Sequence, residues 1–221
     1  LLAAARNVYE IAAGISQEKF NHGRANENAA SAIASLFGHR PISADVGRIR
    51  HLFASAITPT GFHNHLPSLM DAVPHRILVS GSPGTGKSAL LKKVIDAALE
   101  RGYLVEAYHC GLDPQRYEHA LIPALGCAVI TSTAPHLYEA RQATVINMDL
   151  CRHPATVKAH AELLGQNQQL FSHILERAIA ALATAKRLHD ELEAIYAPHM
   201  DFAGVESLRP DLLTRILANP R

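Results

Sequence analysis

Apolar positions recur every three to four residues near the start of the chain. Val8, Ile11, Ala12 and Ile15 share one face of a first run, and Ala30, Ile33, Ala34 and Phe37 one face of a second. This period predicts two short helices, broken at His39, Arg40 and Pro41. Residues 43–48 read as a polar linker. Leu52, Phe53, Ala54 and Ile57 then suggest a strand that ends at Pro59, Thr60 and Gly61, followed by a short helix over 66–72. The pattern next changes to short, mainly apolar runs at Ile77, Leu78 and Val79, at Tyr103, Val105, Ala107 and Tyr108, at Cys127 to Ile130, and at Thr144, Val145, Ile146 and Met148. Runs of this kind suit strands buried on both faces. Between the first two runs, Leu90, Leu91, Val94, Ile95, Ala98 and Leu99 return to helical spacing around Lys92 and Lys93.

Strands alternating with helices predict an α/β fold built on a parallel sheet with helices on both faces. From His160 the pattern is helical almost to the end. Leu170, Ile174, Ala178, Ala181, Leu182 and Ala185, continued by Leu188, Leu192 and Ile195, describe a long amphipathic helix that stops before Pro198. A last short helix carries Leu212, Leu213, Ile216 and Leu217. The expected organisation is a helical segment over 1–48 and a main domain over 49–221 that ends in long helices.

The two ends of the chain resemble one another. Ala4, Arg6, Glu10 and Ala13 recur as Ala185, Arg187, Glu191 and Ala194 at an offset of 181, with Phe20 and Phe202 nearby. Two readings stand: alanine-rich helices mimicking each other, or a true repeat in which residues 1–48 are the tail of a preceding unit.

The strongest chemical signal lies between the first apolar run and the helix after it. Residues 81–88 read Gly-Ser-Pro-Gly-Thr-Gly-Lys-Ser, a complete Walker A phosphate-binding loop placed, as the motif requires, after a strand and before a helix. Gly81, Gly84 and Gly86 let backbone amides approach phosphate oxygens with no Cβ in the way. Lys87 brings charge to the β and γ phosphates and Ser88 a hydroxyl to Mg²⁺, while the helix that starts here points its positive end at the same place. Gly81, Ser82, Pro83, Gly84, Thr85, Gly86, Lys87 and Ser88 are therefore the expected nucleotide-binding residues, and ATP with Mg²⁺ the expected ligands.

Composition narrows the surroundings. Lysine and arginine number 21 against 20 acidic residues, which gives no global field to attract nucleic acid or a membrane surface. The fourteen histidines are scattered, and neither His63 with His65 nor His51 with His109 has a metal-ligand spacing. Three cysteines, Cys110, Cys127 and Cys151, fit reduced thiols better than a disulfide framework. No apolar stretch approaches the roughly 18 residues that cross a bilayer, and no leader pattern opens the chain, so a cytoplasmic location is expected. Because residue 1 is Leu, the true start is expected upstream.

The run from His51 to His136 resembles a bacterial family of tandem P-loop ATPases of poorly defined cellular role. The residues that carry the likeness are Ala56 through Gly61, the loop itself, Tyr108-His109-Cys110 with Asp113-Pro114, and Thr133-Ala134-Pro135-His136. More loosely, the likeness extends to Asp190, Glu191, Tyr196, Asp201 and Phe202 in the helical tail. It implies a P-loop NTPase-like fold, ATP binding, and a second P-loop unit in the same polypeptide. Family members place an acidic residue just before the Thr-Ala-Pro-His segment, at a strand end where it would hold the magnesium water shell; here that place is Thr131, followed by Ser132. Asp149, ending the run from Val145 to Met148, and Asp113 are the candidate substitutes. A cap or loop role for Asp149 and a turn role for Asp113 stand beside the magnesium role.

Lys87 and Asp149 are thus the candidate catalytic groups, with Ser88, Asp149 and Asp113 on the metal side. No glutamate follows Asp149, which leaves Glu106, a residue of another unit or a partner to orient water. Arg116, Arg141 and Arg152 are candidates to reach transferred phosphate, and His136, at a strand's carboxyl end, to read ligand. Three functions follow: a Mg²⁺-dependent ATPase or nucleotide-responsive switch, with a second P-loop unit or a further copy of the chain as partner; a small-molecule or nucleotide kinase, for which 142–155 is thin in lid arginines; and an interaction module that binds nucleotide with little hydrolysis.

Overall fold

Val79 and Ile77 are buried while Leu78 faces the other way, so the strand β4 (His75–Ser80) has apolar side chains on both faces and must lie inside a sheet. A computed structural model describes residues 1–38, 40–134, 137–139 and 142–218. In it β4 is flanked on one side by β7 (Cys127–Thr131) and on the other by β8 (Thr144–Asn147), both parallel to it. Beyond β7 come β6 (Tyr117–Ile122), β5 (Leu104–His109) and, at the far edge, β1 (Arg48–Leu52). The order of the six-stranded sheet is β1-β5-β6-β7-β4-β8.

Five strands run in one direction and β6 runs against them, antiparallel to both β5 and β7. The expected parallel sheet is therefore corrected in one member. The connection from His109 to Tyr117 is a turn, in which Arg116 N donates to Asp113 O and Cys110 N to Arg116 O. A turn of that length returns the chain antiparallel, whereas a parallel crossover needs a dozen residues or more. The strand expected around 52–57 is also two elements. β1 ends at Leu52, and a separate hairpin of β2 (Ser55–Thr58) and β3 (Gly61–Asn64) turns through Pro59 and Thr60.

Helix α4 (Lys87–Glu100) buries Leu90, Leu91, Val94, Ile95 and Ala98 against one face of the sheet and leaves Lys92, Lys93 and Asp96 in water. α2 (His22–Phe37) lies beside it and adds Ala29, Ala32, Leu36 and Phe37 to the same core. Alanines on this face let the two helices come close, and Lys93 Nζ donates to Asn26 Oδ1 at 2.6 Å across their contact. The boundary expected at residue 48 thus does not separate two cores. The opposite face is covered by the short α3 (Leu66–Met70), with Leu66, Met70, Val73, Tyr108, Ile130 and Tyr138 packed together.

α1 (Leu2–Gln17) packs along the long α6 (Ala161–Tyr196), which follows α5 (Pro154–Ala159), and the Tyr9 and Phe171 rings meet at 6.4 Å. After α6 the chain turns into α7 (Phe202–Leu217). α2 and α7 have the same length, 16 residues, and lie 180 positions apart. Each is capped by the residue before it: Asn21 accepts from Arg24 N and Asp201 from Gly204 N. These two capped helices are thus offset by 180 positions, one fewer than the offset of the matching residues in sequence. In that register the apolar sets also correspond. Val8, Ala12 and Ile15 match Leu188, Leu192 and Ile195, and Ala32, Leu36 and Phe37 match Leu212, Ile216 and Leu217. The first of each pair is buried and the second exposed. Among the described residues no helix is long and apolar enough to cross a membrane.

Candidate functional site

The loop over 81–88 leaves the carboxyl end of β4 and enters α4. Three of its residues have left-handed backbone, Gly81 at φ 147°, Gly84 at 77° and Gly86 at 83°, a conformation strained for any residue with a Cβ. Sterics add to this at two of them. A Cβ on Gly81 would lie 2.6 Å from Thr85 Oγ1, and one on Gly84 would lie 2.2 Å from the carbonyl oxygen of Ala13 in α1. The glycines therefore serve two ends, the curl of the loop and the close seating of α1 upon it. Gln17 Nε2 also donates to Gly84 O, fixing the same contact from the end of α1.

Within the loop, Thr85 is fully buried and its hydroxyl donates to Ser82 O at 2.8 Å. Lys87 Nζ donates to the carbonyls of Gly81 and Ser82, so the ammonium spans the loop mouth. Burial pushes the Lys87 ammonium down to about 8, against the opposing influence of the Asp149 and Glu118 carboxylates. The first amides of α4 have no acceptor within the helix and face the loop's concavity.

Asp149 follows β8 in a 3-10 turn (Met148–Cys151) and returns to the loop. Its Oδ1 accepts from Ser82 N at 3.0 Å and from Arg152 Nη1 at 3.2 Å, and the same guanidinium donates to Ser82 Oγ at 2.9 Å. Burial raises the Asp149 carboxyl, but the Ser82 amide and hydroxyl and the Arg152 guanidinium outweigh it and hold it below the ordinary carboxylate range. Asp113 sits across the cavity in the β5–β6 turn, buried, with Arg116 Nε at 3.0 Å and Arg6 Nη2 at 3.4 Å. Arg116 reaches on to Glu10 Oε1 at 2.6 Å and lies over the Tyr9 ring at 5.6 Å. Glu106 is engaged elsewhere, with Arg50 at 2.8 Å and the Tyr108 hydroxyl at 2.9 Å. His136 and Arg141 lie outside the described residues.

These groups surround one cavity of about 670 Å³ at the carboxyl edge of the sheet, a size within the ordinary range for small-molecule sites. The glycine loop and Asp149 form one wall, Asp113, Arg116 and Glu118 a second, and α1 with α6 a third that presents Tyr9, Asn167, Gln168 and Phe171. Thr131, Thr133 and Ala134 close the floor. All eight loop residues, Asp149 and Asp113 thus meet in one place, as does Thr131, buried and uncharged at the end of β7. Cys110 lines the cavity too. Burial first, then the charge and hydrogen bond of Glu118, push its thiol up to about 12, so it is protonated at neutral pH. All three cysteines are free thiols.

Sequence reasoning missed Glu118, Tyr9, Arg6, Gln17 and the α6 side chains. Glu118 was legible only by reading 117–122, bounded by Pro114 and Pro123, as a strand. The α1 and α6 residues carry no motif and reach the loop through packing alone. His51 Nδ1 and His109 Nε2, which have no metal spacing in sequence, stand 2.8 Å apart because β1 pairs with β5. Among the described residues, no three His, Cys, Asp or Glu side chains converge as metal ligands. No protein-family profile, curated protein or solved structure matches the chain.

Proposed function

We propose that the chain is a P-loop NTPase that binds ATP together with Mg²⁺ and hydrolyses it. The observation that carries this reading is the conformation of residues 81–88: three left-handed glycines and a half-buried lysine between a strand's carboxyl end and a helix amino end. That combination concentrates amide dipoles, helix-end charge and one ammonium on a single concavity, which suits phosphate oxygens and little else. Lys87 is already drawn to the loop mouth by the carbonyls of Gly81 and Ser82. A triphosphate entering there exchanges those neutral acceptors for charged oxygens, which raises the worth of each hydrogen bond.

The donor set also fits the metal. Ser88 lines the cavity at the start of α4 with Asp149 across the loop, and a nucleotide-bound Mg²⁺ needs only one or two protein oxygens beside phosphates and water. Bound there, Mg²⁺ would neutralise charge developing between the β and γ phosphates. The chain's own residues would hold the phosphate chain in line, keep Lys87 on its oxygens, and exclude bulk water beneath α1 and α6. The cavity's volume of about 670 Å³ leaves room for a nucleoside beyond the phosphates, with Tyr9 and Phe171 as apolar lining and Asn167 and Gln168 as amides.

The test is calorimetric titration of ATP with Mg²⁺ into the wild-type chain and Lys87→Ala, followed by phosphate release without added acceptor. Saturable binding lost in the variant, with slow release of inorganic phosphate, is expected. Equal behaviour of the two proteins would sink the reading. Phosphate appearing on an added acceptor instead of in solution would replace hydrolysis with a kinase reaction.

A further inference from the structure

Thr131 leaves the end of β7 without a carboxylate, yet a carboxylate stands at the same level one strand away. In the antiparallel β6–β7 pair, His119 faces Ile130 and Ala120 faces Val129; this register, continued one step beyond its last pair, sets Glu118 level with Thr131. Directly opposed residues of an antiparallel pair project to the same face. That face is identified by Ala120 and Ile122, which alternate with Glu118 and lie in the core beneath α4. Glu118 therefore projects from the sheet on the side of the helix that begins with Lys87 and Ser88, at the edge where the glycine loop leaves β4.

A second feature concerns the backbone. On its other side β6 pairs with β5 through Tyr108 with His119 and His109 with Tyr117, so the register skips Glu118. Glu118 is thus left out of this ladder at an irregularity of the kind a β-bulge makes, a device that re-aims one side chain and recurs beside active sites. The side chain lines the cavity that holds Lys87, Thr131 and Asp149. Its charge acts on Lys87, favouring the ammonium, and on the thiol of Cys110 beside it.

We propose that Glu118 orients the water that attacks the γ-phosphate, a role that rests on the reading of residues 81–88 as an ATP site. The water oxygen forms the new bond to the γ-phosphorus as the bond from that phosphorus to the β–γ bridging oxygen breaks, its electron pair leaving with ADP. The proton released by water passes to the Glu118 carboxylate and then to the phosphate product. Asp149 and Ser88 remain on the metal side of the loop, and Thr131 contributes only a buried hydroxyl.

The experiment is Glu118→Gln in the full chain, with ATP affinity measured by calorimetry with and without Mg²⁺ and hydrolysis by single-turnover phosphate release. The expected result is ATP affinity within about threefold of wild type, unchanged Mg²⁺ dependence of that affinity, and release slowed at least 100-fold, the scale of general-base removal. Nucleotide recovered from the variant after incubation should be ATP, where the wild type yields ADP. Should the glutamine variant fail to fold, the wild type's own pH–rate profile serves, which should show an acid limb from protonation of one carboxylate that Asp149→Asn retains. Release at the wild-type rate in Glu118→Gln, or a profile without that limb, overturns the assignment. So does loss of the Mg²⁺ dependence of binding, which would make Glu118 a metal-side group. Absence of any ATP affinity in the wild type would instead overturn the underlying reading of residues 81–88.

Discussion

The carbonyl oxygen of Ala13 occupies the space that a β-carbon on Gly84 would need, the two points lying 2.2 Å apart. Helix α1 is therefore seated on the glycine loop itself and not merely near it, and the loop cannot accept a side chain at this position without displacing a helix. Gly84→Ala should incur about 1–2 kcal/mol from left-handed backbone alone, and the clash adds to it. A fall in Tm of roughly 4–8 °C is expected for a total near 2 kcal/mol in a chain of this size. Proteolytic cleavage should appear first within α1. Gly14→Ala, on the exposed side of the same helix where a Cβ meets nothing within 4 Å, should instead raise Tm, since Gly-to-Ala in a helix interior is worth about 0.5–1 kcal/mol. If both variants shift stability in the same direction, the seating of α1 is not what constrains Gly84.

Lys87 carries a charge that the folded chain tolerates poorly. Burial pushes its ammonium down to about 8, so the unfolded chain binds the proton more tightly than the folded one, and stability from this group rises with pH through the interval above 8. Lys87→Ala should leave the ligand-free protein at least as stable as wild type at pH 7 while weakening ATP binding by 100-fold or more. Urea titration and calorimetry read the two effects separately. A variant that both unfolds earlier and loses ATP would show that the lysine is a structural strut.

The loop and its flanking elements were legible because they combine a fixed spacing with two strong hydrophobic patterns. Ile77 to Val79 form an unbroken apolar run, and Leu90 to Leu99 keep helical spacing, so strand, loop and helix follow one another in order along the chain. β6 was not legible. Its first three residues are Tyr117, Glu118 and His119, polar or amphipathic, and a buried histidine resembles a loop residue in sequence although its side chain is fully enclosed here. Losing β6 meant losing the one reversed strand, and with it Glu118. β1 was hidden in the same way: Arg48, Arg50 and His51 suit a sheet edge that faces water, and the polar pattern put Arg48 in a linker and started the strand only at Leu52. The matching residues of the two ends stand 181 positions apart in sequence, whereas Asn21 and Asp201, different residues, make the same cap 180 positions apart.

The protonation of Lys87 has a second consequence, for binding. Phosphate oxygens stabilise the ammonium, so ATP raises the pKa that burial lowered to about 8. Between about pH 8 and the ordinary lysine range, binding must therefore be accompanied by proton uptake, and affinity should fall as pH rises through that window. Calorimetry at about pH 8.5 in two buffers of different ionisation enthalpy measures the uptake directly. A value near zero there, with strong binding, would mean that Lys87 stays charged without nucleotide.

Asp149 ties the turn after β8 to the loop, through Ser82 N and through Arg152, whose side chain is only 8% exposed. Asn in its place keeps an acceptor for the Ser82 amide and removes the charge opposite the guanidinium. Since the carboxylate itself is 40% exposed, solvent screens the pair and the expected loss at pH 7 is roughly 1 kcal/mol. Its folded pKa lies below the ordinary value, so this stability is present above about pH 4 and disappears as pH falls through the folded value. The gap in urea midpoint between wild type and Asp149→Asn should therefore close in acid. A gap that persists unchanged at about pH 3 would assign the effect to shape and not to charge.

Arg116 decides whether the guanidinium groups of the cavity serve the cover or the chemistry. It bridges Glu10 at 2.6 Å on α1 and Asp113 at 3.0 Å on the β5–β6 turn, with its plane over Tyr9. Arg116→Ala removes a clamp between the first helix and the sheet edge and leaves Asp113 with Arg6 as its remaining guanidinium partner. Because Arg116 and Glu10 are 34% and 41% exposed, the expected cost is modest, about 1–2 kcal/mol for a two-partner guanidinium. Hydrogen exchange should quicken in α1 and stay unchanged in α4, whose contacts with α2 and the sheet do not involve this residue. ATP affinity should fall only as far as the loosened cover allows, and raising salt should shrink the difference from wild type. A variant with unchanged exchange in α1 but much slower phosphate release would move Arg116 from the clamp to the phosphate, and would take the stability of the cover out of its hands.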